Sequence, residues 1–351
     1  MCRVLAVVTL ALAGSLVWAA PAEAHAGRDA SNYRSEVDGP VEPGLHWRVL
    51  ANDALLELRN DSGAEVVVLG YEGEPYLRFA DDGVFENRRS PAAYLNADRY
   101  ATVAVPDEAD AEAAPRWRRV AVGHTYRWHD HRIHWMSPQP PAAIRGDLGH
   151  AHVVGRWEVA HRVNGRPATL EGTLRWEPSD LWWPWYAGIG AVTGLVVLAG
   201  LRTAPRRDRW PALARPVAVL LLVATAGAVV RTVDDVVSVP GTNGDAAALV
   251  GVALVTLLAV LTSWRGWRGD DVGFASLALG GVSVAYLEGI AHADVLSLPE
   301  LVTGLPPVVV RLGIAAAMAA GAAAIAATFL AWRRMDGFLG RTRSEAASTA
   351  P

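Results

Sequence analysis

Lysine is missing from this chain of 351 residues, so all 32 basic side chains are arginine. A GC-rich coding bias accounts for that. Cysteine occurs once, as Cys2. Disulfides, zinc-thiolate sites and cysteine nucleophiles are therefore excluded from the remaining chain. The Gly-x-Ser-x-Gly elbow, the His-Glu-x-x-His helix, the P-loop and Gly-x-Gly-x-x-Gly are all absent, so no catalytic motif argues for an enzyme. A net charge of −4 removes any electrostatic reason to expect a nucleic acid partner.

Apolar residues are abundant, at 52%, and unevenly spread. The first half is mixed, whereas the second half holds long apolar runs broken by short arginine-rich or acidic connectors. That asymmetry points to one soluble domain joined to a helical membrane domain. Residues 1–24 read as a cleavable export signal. Arg3 precedes the apolar run Val4–Ala20, and Ala22-x-Ala24 fits cleavage after Ala24. The rival reading is an uncleaved helix, for which the run is short. Cleavage makes His25 the mature N-terminus, where its α-amine and Nδ1 can chelate Cu(II). The plain alternative is a histidine that merely follows the cleavage site.

Residues 25–180 read as an exported β domain. Short alternating runs at 46–50, 55–59, 65–69, 76–79, 117–122, 153–163 and 168–176 predict about seven strands. Asn60-Asp61-Ser62-Gly63 predicts a hairpin turn between the second and third of these runs, and Asn164-Gly165 a hairpin between the last two. The acidic segment 87–114 reads as a surface loop. Frequent turns and no convincing helix suggest an all-β, immunoglobulin-like sandwich, held by aromatic and aliphatic packing alone.

The chain's densest chemistry lies in His124–Met136, HTYRWHDHRIHWM. On one straight strand, His129 and His131 would share a face opposite His124, His134 and Met136. A bend at Asp130 would let them converge. The functional reading is a metal site of His129, His131 and His134. His25 and His124 are further candidate ligands, and Asp130 is a ligand or a carboxylate fixing a ring tautomer. Met136 would bias the site toward copper. The alternative is that Trp128, Ile133 and Trp135 are core and the histidines bond to Asp130 and loop backbone. His46, His150, His152 and His161 could contribute, with His150-x-His152 the best pair.

Residues 181–332 predict five transmembrane helices, the first reached through the aromatic belt Trp182-Trp183-Pro184-Trp185-Tyr186 and ending near Leu201. The others span roughly 213–231, 246–263, 273–291 and 307–332, each long enough for ~30 Å of hydrocarbon. Arginines cluster at 202–215, 265–268 and in the tail 333–351, whereas Asp234, Asp235, Asp245, Asp294 and Glu300 mark the alternate loops. This positive-inside pattern predicts an extracytoplasmic β domain and a cytoplasmic tail. Glu288, His292, Arg311 and Asp235 are ionisable groups in or at the ends of the spans. Glu288 and His292 would share a helix face, with Arg311 pairing Glu288 or Asp235. Snorkelling to the interface is the alternative. The alanine-rich stretch 315–327 permits close helix packing.

Gly-Tyr-Glu-Gly-Glu-Pro-Tyr-Leu-Arg-Phe at 70–79 and Tyr-Arg-Trp-His-Asp-His-Arg-Ile-His-Trp-Met at 126–136 resemble segments of a family of actinobacterial conserved membrane proteins. The resemblance covers the exported domain well and the helices loosely, and it implies no activity. A His25 terminus on an exported sandwich is also similar to periplasmic copper carriers, although five helices and a mid-domain histidine cluster depart from that pattern. Three functions follow as expectations: an extracytoplasmic ligand-binding domain that handles copper or another metal, an envelope scaffold that docks a protein partner, and a transporter built on the bundle's polar residues.

Overall fold

A computed structural model describes residues 31–97, 101–203, 207–238 and 245–348. The export signal read at 1–24, and His25, lie outside the described residues. The chain divides into a β unit of His25–Ser179 with Leu298–Val302, and a helical unit holding Asp180–Ser297 and Thr303–Pro351.

The β unit contains ten described strands: β1 Tyr33–Asp38, β2 Leu45–Leu50, β3 Leu55–Asn60, β4 Val66–Leu69, β5 Pro75–Ala80, β6 Gly83–Asn87, β7 Trp117–Ala121, β8 Thr125–Trp128, β9 His152–Val163 and β10 Arg166–Trp176. All pairings are antiparallel, in a seven-stranded sheet ordered β1-β10-β9-β4-β5-β6-β7 and a three-stranded sheet ordered β2-β3-β8. Both sheets feed one core. Leu56, Leu58 and Trp128 enter it from the small sheet, and Val68, Phe79 and Trp157 from the large one. Each such side chain contributes roughly 1.5–3 kcal/mol by leaving water. The ten strands and their seven-and-three division differ from the seven-stranded immunoglobulin-like sandwich the sequence suggested.

Strand β9 shows why the alternation was readable. Trp157, Val159 and His161 are buried while Glu158, Ala160 and Arg162 point out. Its hairpin to β10 turns at Asn164 and Gly165, with φ of +49° and +77°, the positive pair a two-residue turn requires. Trp157 lies against Gly172 of β10, where a Cβ would stand 2.0 Å from the indole, so only glycine fits.

The turn at Asn60–Gly63 exists but is not a hairpin turn. Its ends lie in different sheets, because β3 pairs with β2 and β8 while β4 pairs with β5 and β9. Asn60 makes this corner by accepting from Ser62 N at 3.1 Å and donating to the Ala64 carbonyl at 2.8 Å, while its own N–H donates to the His124 carbonyl. A local turn signal cannot tell a hairpin from a change of sheet. Strands β1 and β6 escaped the alternation count because one is a half-exposed edge strand and the other only five residues long.

Among the described residues the helical unit contains five helices long and apolar enough to cross a membrane, so the chain is a multi-pass membrane protein. They are α1 Trp183–Thr203, α2 Trp210–Ser238, α3 Asp245–Gly266, the span Asp271–Leu296 that begins with α4 Asp271–Val284, and α5 Pro307–Ser348. Helix α4 continues through a π turn, Ala285–Gly289, into a 3₁₀ stretch, Ile290–Leu296. Helix α5 packs on α1, α2 and α4, burying Ala317, Ala320, Ala324 and Ala327 in the bundle core. At Gly281 and Gly321 the backbones of α4 and α5 approach so closely that a Cβ on Gly321 would stand 2.6 Å from the Gly281 carbonyl oxygen.

Glu57 of β3 is buried between two arginines of its neighbouring strands, exposed Arg48 on β2 and half-exposed Arg127 on β8. Burial pushes its carboxyl up, but the hydrogen bonds and charges of Arg127 and Arg48 outweigh that and hold it below 4.5. A depressed carboxyl stabilises the fold above its unfolded value and loses that contribution as pH falls through the folded one. The β unit is therefore expected to weaken on acidification below about pH 4.5. Glu57→Gln should flatten this acid dependence and lower stability at neutral pH by about 1–3 kcal/mol. Denaturation of the full chain in detergent, followed by tryptophan fluorescence across pH, checks both.

Candidate functional site

Strand β8 stops at Trp128, and the histidine-rich segment leaves it through a turn closed by Ile133 N donating to the Asp130 carbonyl at 3.1 Å. Asp130 is fully buried. Its carboxylate accepts from Trp128 Nε1 (2.9 Å), Arg132 N (3.2 Å), Arg132 Nε (2.7 Å) and Arg132 Nη2 (2.6 Å). These four bonds fill a carboxylate's accepting capacity. Asp130 is thus the clamp of the turn, and its hydrogen bonds run to Trp128 and Arg132 where an imidazole or a metal was expected. Arg132 donates further, through Nη1, to the Leu69 carbonyl at 3.1 Å.

The turn brings His129, His131 and His134 together. His134 is buried, with its ring centre 5.3 Å from His131 and 6.4 Å from His129, both edge to face. His134 Nδ1 lies 3.2 Å from the Trp135 carbonyl, which can only accept, so in the neutral ring Nδ1 carries the proton and Nε2 the lone pair. With metal–nitrogen bonds near 2.0–2.1 Å, two ring centres sharing an ion stand roughly 5–6.5 Å apart. The spacing is suitable, but the rings meet edge to face, and among the described residues no group of three or more His, Cys, Asp or Glu is arranged to hold a metal ion as it stands.

Other expected ligands are not gathered here. His124 is exposed before β8, with roughly 16 Å of rise between it and His129 if the strand is extended. Met136 is exposed beyond the turn. His46 is 3.4 Å from Asp61, and buried His161 is 3.4 Å from Glu42 against the Trp47 ring. His150 and His152 do pair, through Asp147. His150 Nδ1 meets its carboxylate at 2.5 Å, and His152 Nε2 its carbonyl at 2.7 Å. The Asp147 hydrogen bond and charge raise His150 above its ordinary 6.5.

Sequence reasoning missed Tyr71. Gly70 N donates to the Glu74 carbonyl across a turn in which Gly73 adopts φ +83°, and this presents the Tyr71 ring to the histidine turn. The Tyr71 hydroxyl accepts from His131 N at 3.0 Å and donates to Asn96 Oδ1. Its ring stacks 6.2 Å from that of His131, with the Arg132 guanidinium 5.1 Å above it. Burial first, and the Asp130 charge second, push the phenol well above its usual range, so it stays protonated. Thus the segments 70–79 and 126–136 touch each other. The signal available was Tyr71 itself, an aromatic in a glycine-bounded turn.

The helical unit has a second cluster. Arg231 of α2 donates from Nη1 to Asp235 at 2.9 Å and from Nη2 to Glu288 at 2.7 Å, with Arg231 and Glu288 both largely shielded. Arg311 pairs with Asp180 at 2.5 Å and donates to the Val295 carbonyl at 3.1 Å. The one-face relation of Glu288 and His292 fails as an α-helical spacing. The π turn holds Glu288, and His292 has non-helical φ/ψ of −123° and 22°. No family profile, curated protein or solved structure matches the chain.

Asp130→Ala should leave the Arg132 charge uncompensated against Tyr71 and destabilise the β unit by about 3–5 kcal/mol. Urea denaturation of the full-length protein measures this. A loss below ~1 kcal/mol would remove the clamp from the description of the site.

Proposed function

We propose that this multi-pass membrane protein carries its β unit on the extracytoplasmic side and binds a transition-metal ion there through His129, His131 and His134. The single observation that supports this is the packing of His134 against both other imidazoles at distances two ligands of one ion would keep. The Nδ1–carbonyl contact of His134 is the kind of bond that orients a ligating imidazole. Ligation requires the rings to turn from edge contact to nitrogen convergence while the Asp130–Arg132 clamp holds the backbone. Copper is the favoured ion, since an all-imidazole set without thiolate suits Cu(II). The orientation rests on arginines at the ends of α1, α3 and α5 against Asp234, Asp235 and Asp294 at the alternate ends.

Calorimetric titration of the full-length protein in detergent with Cu(II), Cu(I) and Zn(II) tests the reading. One ion bound at micromolar concentration or tighter is expected, weakened about 10–100-fold by His131→Ala or His134→Ala. Binding only at millimolar concentration, indifferent to both substitutions, rejects it.

A second reading, transport through the bundle, is favoured by one observation: Arg231 bridging Glu288 and Asp235 inside spans where charge is costly. Glu288 sits in a π turn, a local widening common at functional sites. Proteoliposomes with an internal pH dye should show a proton or cation flux that Glu288→Gln abolishes. A flux unchanged by Glu288→Gln, or none above empty liposomes, counts against transport.

A further inference from the structure

We infer that the helical unit holds an anionic phospholipid in a groove between α2 and α3, its phosphate between Arg215 and Arg268. The groove is lined by Leu222, Val260, Ser263, Trp264, Trp267 and Arg268 and holds about 470 Å³, within the range of small-ligand sites. Its two ends differ in chemistry. At one end the Arg268 guanidinium lies 5.0 Å over the Trp264 ring, and Arg215, beside the lining residues, holds its guanidinium 5.7 Å over Trp267. Further along are Leu222 and Val260, both open to the outside of the bundle. From Arg215 to Leu222 the helix rises about 10 Å, so the charged mouth leads onto an apolar wall.

This gradient matches one molecule. Both helices are apolar enough to span a membrane, so the groove faces lipid, and acyl chain is what lies against Leu222 and Val260. The mouth selects the headgroup. Among the described residues Arg215 and Arg268 form no ion pair, whereas their neighbour Arg265 is held bidentately by Asp270 at 2.7 and 2.9 Å. Two guanidiniums held on indole faces, with the nearby Asp270 carboxylate bonded bidentately to Arg265, are complementary to a phosphate. The tryptophans sit where amphipathic rings prefer the headgroup level. Ser263 is committed elsewhere, to the Ala218 carbonyl at 3.3 Å, so it closes the floor of the groove and leaves recognition to the arginines.

Native mass spectrometry of the full-length protein, delipidated and then offered phosphatidylglycerol or phosphatidylcholine with identical acyl chains, tests the inference. Phosphatidylglycerol should be retained preferentially, and Arg215→Gln and Arg268→Gln should each reduce retention roughly fivefold. The double variant should fall to the phosphatidylcholine level. Arg202→Gln, at the same end of the bundle but outside the groove, should change nothing. Val260→Trp, which fills the apolar wall, should lower retention of both lipids without touching the arginines. Equal retention of the two lipids, or indifference to the double substitution, overturns the proposal. So does displacement by glycerol phosphate as readily as by the whole lipid, which would make the mouth an anion site alone.

Discussion

The contact between Asp130 and Arg132 decides what the β unit can present. A carboxylate removed from water is tolerable only when every accepting position is filled, and here Arg132 and Trp128 fill them. The same arginine reaches Leu69 at the end of β4, in the other sheet, so one ion pair joins the end of β8 to the larger sheet. Between those fixed points the chain has little freedom. Its three imidazoles lie on the flanks of a turn whose ends are both held, with Tyr71 packed on the middle one. A site built this way has a rigid backbone and adjustable rings, which suits a ligand that must be closed upon.

The bundle solves the matching problem differently. Its helices gain little from the hydrophobic effect against one another, because lipid is as apolar as their own faces. Close approach supplies the attraction instead, through Gly281 on Gly321 and the alanines of α5. Polar links are sparse and interhelical, such as Thr328 Oγ1 to the Phe274 carbonyl at 2.8 Å. Against that background the charged cluster of Arg231, Asp235 and Glu288 is conspicuous, and Asp234 extends it by accepting from Thr303 Oγ1 at 2.6 Å. All these groups lie within about seven residues, or ~10 Å of helix, of the same end of α2.

Much of this was legible in the sequence, for identifiable reasons. Five apolar runs of spanning length carry their signal in composition, and composition needs no tertiary context. Strand β9 alternates because one face is in the core, and Asn-Gly readily takes the two positive φ values of a two-residue hairpin turn. The imidazole cluster was legible as a possibility, since three histidines within six residues must be near neighbours. What failed to show was pairing at a distance. Nothing local to Asn60–Gly63 says that the next strand joins the other sheet. Nothing near Asp130 distinguishes a metal ligand from a carboxylate held by the arginine two residues on. Hydropathy does not single out Arg231, and only helix packing brings it to Glu288.

The absence of lysine matters most at these pairings. Arg132 donates from three side-chain nitrogens, two to one carboxylate and one to a carbonyl in another strand, while its plane stacks on Tyr71. Arg231 uses two nitrogens to span Asp235 and Glu288, and Glu57 receives one arginine from each side. A guanidinium presents its donors in a fixed planar fork, so these bridges hold direction as well as charge. An ammonium is a hydrated point charge on a flexible stem and could neutralise each carboxylate without fixing the strand or helix that carries it. In a β unit with no disulfide, geometry at the core's edge must come from such forks. Whatever coding pressure favoured arginine, the structure puts its directional donors wherever a buried carboxylate has to join two elements.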